Sequence, residues 1–105
     1  MNTFAKKIIN IENMIDYQDG AIVSKTITDN TKNSSLTVFA FDAGQSIAGH
    51  SAPVDAVVQN IDGEVEITIS GEKFTLKKGD MILMPKGEPH ALQAKTKFKM
   101  ILFKV

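Results

Sequence analysis

The segment Glu64-Val65-Glu66-Ile67-Thr68-Ile69-Ser70 alternates without a fault, with apolar β-branched residues at odd positions and polar residues at even ones. Successive side chains of a strand point to opposite sides, so this period of two predicts a strand with one buried face; a helix would scatter the same residues around its axis. Gly71-Glu72 marks a turn and Lys73-Phe74-Thr75-Leu76-Lys77 alternates again, which predicts a β-hairpin. In the last run, Lys97 to Val105, the first two lysines alternate with Phe98 and Met100, so a further strand is expected with Phe98, Met100 and Leu102 inward.

Two runs, Leu36 to Phe41 and Met81 to Met84, are apolar at nearly every position. They predict strands covered on both sides, by the core and by a second subunit, hence a homodimer. More strands are expected at Ala21 to Thr28, Ser46 to His50, Val54 to Ile61 and His90 to Ala94, whereas Ile8 to Ile15 suits a short helix or a strand. Turn signals separate the runs at Asp19-Gly20, Asp29-Asn30, Asp62-Gly63, Lys78-Gly79-Asp80 and Pro85-Lys86-Gly87. Many short strands punctuated in this way predict an all-β sandwich or barrel of antiparallel sheets. With 105 residues the chain suits one domain, residues 1–105, with 1–20 as an N-terminal arm and 36–102 as the core.

Charge and composition narrow the function. Twelve lysines balance twelve acidic residues, so no overall field draws the protein to a polyanion, and nucleic acid is not an expected partner. Arginine is absent, and with it the planar donor fork that grips phosphate best. Cysteine is absent too, which excludes disulfides, thiolate nucleophiles and cysteine metal sites. The apolar runs are too short for a membrane-spanning helix and the basic start leads into no continuous apolar stretch, so a soluble cytoplasmic protein without membrane partners is expected.

Two spaced motifs flank the hairpin. The first runs Gly44, His50, Ala52, Ala56, Gly63; the second runs Gly79, Pro85, Gly87, His90, Ala94; fifteen residues, Glu64 to Lys78, lie between them. This arrangement resembles the two boxes of the cupin family, whose first box is glycine, five residues, histidine, one, histidine, three or four, glutamate, six, glycine. The second is glycine, five, proline, one, glycine, two, histidine, three, asparagine. Every interval is kept from Gly44 to Ala94. The resemblance implies a small single-domain cupin, a double-stranded β-helix or jelly-roll barrel of two antiparallel sheets.

In metal-binding cupins three histidines and a glutamate hold a divalent ion; here Ala52 and Ala56 stand at two of those four places, and His50 and His90 are the only histidines in the chain. A protein metal site normally needs three or four ligands, so the expectation is no resident cofactor, with Zn, Ni, Fe or Mn held weakly by His50 and His90 as the alternative. Parity aims His50 and His90 into one cavity, where imidazoles can accept or donate protons. By the same parity Ala52, Ala56, Val58, Asn60, Leu92, Phe98 and Met100 are candidate ligand-binding residues, with Met84 also facing the interior. Asp55, one position before the family's glutamate, should face away. It is a turn or interface carboxylate, or a group that orients a histidine as in metal-free epimerases of this architecture; with His50 and His90 it completes the catalytic candidates. Lys95, Lys97 and Lys99 read as a solvated face. The expected function is binding of a small organic molecule in a half-apolar pocket centred on His50 and His90. The alternatives are a cupin enzyme, either metal-free and isomerase- or epimerase-like or a weakly metallated oxygenase or isomerase, and an interaction module.

Overall fold

The alternating hairpin forms as its sequence dictates. In the computed structural model, which describes residues 2–28 and 34–105, strands β5 (Val65–Ile69) and β6 (Glu72–Leu76) pair antiparallel with Ile69 opposite Glu72. The turn is Ser70-Gly71, with φ of 48° and 83°. Two successive positive φ values match the twist of the flanking strands, and with Gly71 in the second place, Glu72 stays in the strand. The turn therefore lies one residue before the expected Gly71-Glu72.

The other strands are β1 (Ile22–Thr26), β2 (Ser35–Phe41), β3 (Ser46–His50), β4 (Ala56–Asp62), β7 (Met81–Met84), β8 (His90–Ala94) and β9 (Phe98–Lys104). They form a five-stranded sheet ordered β1-β2-β9-β4-β7 and a four-stranded sheet ordered β3-β8-β5-β6, with every pairing antiparallel. The two sheets face each other as a jelly-roll barrel. No helix among the described residues is long and apolar enough to cross a membrane. The turn expected at Asp29-Asn30 lies outside the described residues.

Between the sheets lies the principal core, built from the inward positions that alternation selected: Val65 and Ile67 on β5, Leu92 and Ala94 on β8, Val58 on β4, Phe41 on β2, Phe98 and Met100 on β9. The Phe41 and Phe98 rings meet at 5.4 Å in a tilted pair. Burying one such large apolar side chain contributes about 1.5–3 kcal/mol. Just beyond β4 the backbone itself is closely approached: a Cβ added at Gly63 would lie 1.9 Å from the Lys97 carbonyl oxygen.

A second cluster on the outside of the five-stranded sheet revises the reading of β2. Val38 and Ala40 are fully buried, packed with Ile15 and Ile61 and bordered by Ile11, Met14 and Tyr17. The N-terminal segment of the same chain therefore covers the outer face of β2, and the apolarity of that strand requires no second subunit. That segment is neither helix nor strand at Ile8 to Ile15: turns and irregular backbone carry Ile11, Met14 and Ile15 onto the sheet, while Ile8 is exposed. Polar contacts fasten it. The Tyr17 hydroxyl donates to Asp62 Oδ2 at 2.7 Å, and burial together with that carboxylate raises the phenol above its usual pKa, so it remains a donor. Lys99 is a correction to the expected solvated face. It is 8% exposed, donates from Nζ to the Glu12 carbonyl oxygen at 2.6 Å and sits 4.9 Å from the centre of the Tyr17 ring. Lys95 and Lys97 are exposed.

Strand β7 also departs from expectation. It is the edge of its sheet, and Met81 and Leu83 are 63% and 51% exposed. Ile82 and Met84 point inward, so β7 is covered on one face only.

Candidate functional site

The site forms where β3 meets β8. His50 and His90 are cross-strand partners, and the rings lie 4.5 Å apart, edge to face at 62°. Ile47 pairs with Leu92 and His50 with His90, so β3 spends three residues where β8 spends two. This one-residue bulge changes the parity of β3 and brings Ile47 and His50 to the same face. Ile47 was not among the sequence candidates for that reason: a regular strand would send residues three apart to opposite sides.

His50 Nδ1 lies 3.1 Å from the Ala48 carbonyl oxygen, and His90 Nδ1 lies 3.4 Å from that of Glu88. A carbonyl only accepts, so these contacts assign the proton to Nδ1 and leave Nε2 of each ring for a ligand. His90 is 6% exposed. Burial, and then the neighbouring His50, lower its pKa from the usual histidine value, which favours a neutral imidazole at neutral pH. His50 is exposed at the rim.

Around the rings lies a cavity of 140 Å³ between the sheets. Its walls include Ile47, Ala52, Ala56, Met84, Leu92 and Met100, with Phe39, Leu102 and Lys104 contributed by β2 and β9. Thus His50, Ala52, Ala56, His90, Leu92 and Met100 come together as sequence parity aimed them, as does Met84. Three other candidates do not reach the cavity. Val58 and Phe98 are fully buried in the closed core. Asn60, 1% exposed, donates from Nδ2 to the carbonyl oxygens of Gly63 at 2.8 Å and Leu76 at 3.1 Å, while its Oδ1 has no partner among the described residues. All three face inward as expected, but they lie deeper along their strands than the cavity extends.

Phe39, Leu102 and Lys104 were not among the candidates. Alternation does not discriminate within the apolar run Val38 to Phe41 of β2, and a lysine near a strand end ordinarily faces water. Leu102 alone carried a usable signal, because it continues the inward series from Phe98 and Met100.

Asp55 is exposed and acts as a joint at the mouth. Its Oδ1 accepts from the Lys86 amide at 2.8 Å, and its carbonyl oxygen accepts from the Val105 amide at 3.2 Å. The Gly87 amide also donates to the Ala52 carbonyl oxygen at 2.9 Å. Segment 51–55 is thereby tied to the Pro85-Lys86-Gly87 turn that precedes His90. The first motif is not one continuous strand: β3 ends at His50, Ala52 lies in the connection, and β4 begins at Ala56.

The donor set does not fit a resident Zn, Ni, Fe or Mn ion. Ala52 and Ala56 present methyl groups, Asp55 lies outside the cavity wall with its Oδ1 on the Lys86 amide, and no cluster of three His, Cys, Asp or Glu side chains that could hold a metal occurs among the described residues. Two imidazoles fall short of the three or four ligands a protein site normally supplies.

Comparisons with known proteins agree with this architecture. The structure superposes with a TM-score of 0.93 on a conserved protein of unknown function from Streptococcus pyogenes, 35% identical, covering 100% of this chain and 91% of that one. It superposes at 0.87 on a cupin 2 conserved barrel domain protein from Leptotrichia buccalis, 39% identical, covering 92% of this chain and 47% of that one. A G106A mutant of salicylate 1,2-dioxygenase from Pseudoaminobacter salicylatoxidans gives 0.72 at 25% identity, over 79% of this chain and 24% of the enzyme. No curated protein matches the sequence. The cupin domain family matches residues 37–105, the stretch that runs through both motifs and supplies every residue of the cavity wall, and the chain belongs to that family.

Proposed function

We propose that this cupin binds a small organic molecule in the cavity between His50 and His90. The observation that carries the reading is the cavity itself: 140 Å³ of space with mostly apolar walls and two imidazoles. A largely apolar pocket with a few convergent polar groups is the usual form of a small-molecule site. The test is a thermal-shift and calorimetric screen of small acids, sugars and aromatics against the wild-type protein and an Ala52→Leu variant, whose larger side chain occupies the cavity. A ligand at a hundred times its Kd stabilises the wild type by about 2.7 kcal/mol. That stabilisation disappears in Ala52→Leu. A ligand that stabilises both proteins equally binds elsewhere and defeats the reading.

A second reading makes the same site an acid/base enzyme that works without a metal. It is favoured by His90, a buried neutral imidazole whose Nε2 is free to take a proton from a bound molecule. Once a ligand is known, incubation in D2O tests it. Deuterium enters the ligand carbon in the wild type and not in His90→Gln, while the variant still binds; equal incorporation in both rules out His90 as the base.

A further inference from the structure

The cavity has a sign. Its wall contains three basic side chains, His50, His90 and Lys104, and no carboxylate. The chain as a whole is neutral by formal count, so this character is local. Two nearby acidic side chains are tied down outside the wall: Asp55 Oδ1 accepts from the Lys86 amide, and Glu88 Oε1 accepts from Ser70 Oγ at 2.8 Å. Among the described residues Lys104 makes no ion pair. Strand register explains how a lysine comes to this wall. Lys104 lies opposite Ala56 across β4 and β9, and Phe98, Met100, Leu102 and Lys104 share the inward face of β9. The series thus passes from closed core to the cavity and ends on a cation.

Apart from Ala52 and Ala56, the rest of the wall is hydrocarbon and thioether: Phe39, Ile47, Met84, Leu92, Met100 and Leu102. A polar neutral guest would leave these surfaces unused, and an inorganic anion would touch only the basic side. The volume of 140 Å³ is close to the roughly 150 Å³ of an apolar protein cavity that accepts benzene.

We propose that the ligand is a small organic acid about the size of benzoate, its carboxylate held by Lys104 beside the two imidazoles and its apolar body held by the hydrocarbon and thioether wall. This rests on the reading of the cavity as a small-molecule site and adds the charge and size of the guest. In a partly enclosed site an ammonium-to-carboxylate contact is stronger than in open water.

Calorimetry with benzoate, benzamide and toluene tests it, because the three probes are similar in size and differ in charge and polarity. At pH 7 and low salt, benzoate binds at least tenfold tighter than benzamide to the wild-type protein. Lys104→Met reduces that preference about tenfold; Lys104→Gln does the same, which separates loss of charge from altered packing. Benzamide or toluene binding as tightly as benzoate overturns the acid and leaves the small-molecule reading standing, as does a benzoate preference untouched by both Lys104 variants. Failure of all three probes overturns the proposal of a benzoate-sized acid, and failure of the broader screen as well overturns the cavity as a binding site.

Discussion

The two ends of the barrel use the same strands to opposite purposes. On β9, Phe98 is fully buried against Phe41, whereas Leu102 and Lys104, on the same face, line the cavity. On β4, Val58 and Asn60 are sealed in while Ala56 faces open space. On β8, Ala94 belongs to the core and His90 to the site. One end spends its volume on packing; the other leaves room and places the chain's two histidines there. What the facing sheet supplies along a shared strand face, with no change of fold, is what separates a core from a pocket in this molecule.

The largest effects fall at the closed end. Phe98→Ala removes a fully buried ring from the contact with Phe41 and costs about 3–5 kcal/mol, read as a lower denaturation midpoint in urea. The loss is the same with or without ligand. Gly63→Ala follows, because its Cβ would meet the Lys97 carbonyl oxygen at 1.9 Å in a backbone with φ of 82°. Relieving that clash moves backbone and costs about 2–3 kcal/mol. A variant as stable as wild type would mean that the close approach between residues 63 and 97 is not held in solution.

Leu102→Ala, four residues from Phe98 on the same strand, is the matched experiment at the open end. Leu102 is only partly buried and already borders empty space, so its truncation costs about 1 kcal/mol and enlarges the cavity. Para-substituted benzoates then gain affinity relative to benzoate. If Leu102→Ala costs as much as Phe98→Ala, the two ends are packed alike and the contrast is wrong.

This contrast also marks what could be read from sequence. The sheets were legible because alternation at Glu64 to Ser70 and at Phe98, Met100 and Leu102 reports directly which face is buried, and the spaced motifs from Gly44 to Ala94 gave the barrel. Parity carries no information about depth. It assigned Val58, Asn60 and Phe98 to the pocket because they face the same way as Ala56 and Met100; whether such a residue meets a neighbour or a void depends on what the opposite sheet supplies. Ile47 escaped because a bulge changes parity without a sequence mark in β3. The cover over β2 was illegible for another reason: Ile11, Met14 and Ile15 stand at helix-like spacing, yet turns rather than a helix or strand carry them and Tyr17 to the sheet.

The smallest effect sharpens the contrast most cleanly, because only the open end contains histidine. Burial, then His50, lower the pKa of His90 in the folded protein. In the unfolded chain a histidine titrates near about 6.5. As pH falls below that value the unfolded chain takes up a proton that folded His90 still resists, so stability declines from about pH 6.5 down to the lowered folded pKa and is level above that window. Urea midpoints measured between pH 8 and 5.5 should show that decline in the wild type and a shallower one in His90→Gln. Saturating benzoate acts in the opposite sense, since a carboxylate beside the ring favours the imidazolium and offsets the cost that burial and His50 impose. The decline should therefore shrink with benzoate bound in the wild type and be unaffected by benzoate in a Phe98→Ala, Ala52→Leu protein, whose closed end is weakened and whose cavity is filled. An equal decline in wild type and His90→Gln would place the titrating group outside this site, and the open end would then differ from the closed end in packing but not in electrostatics.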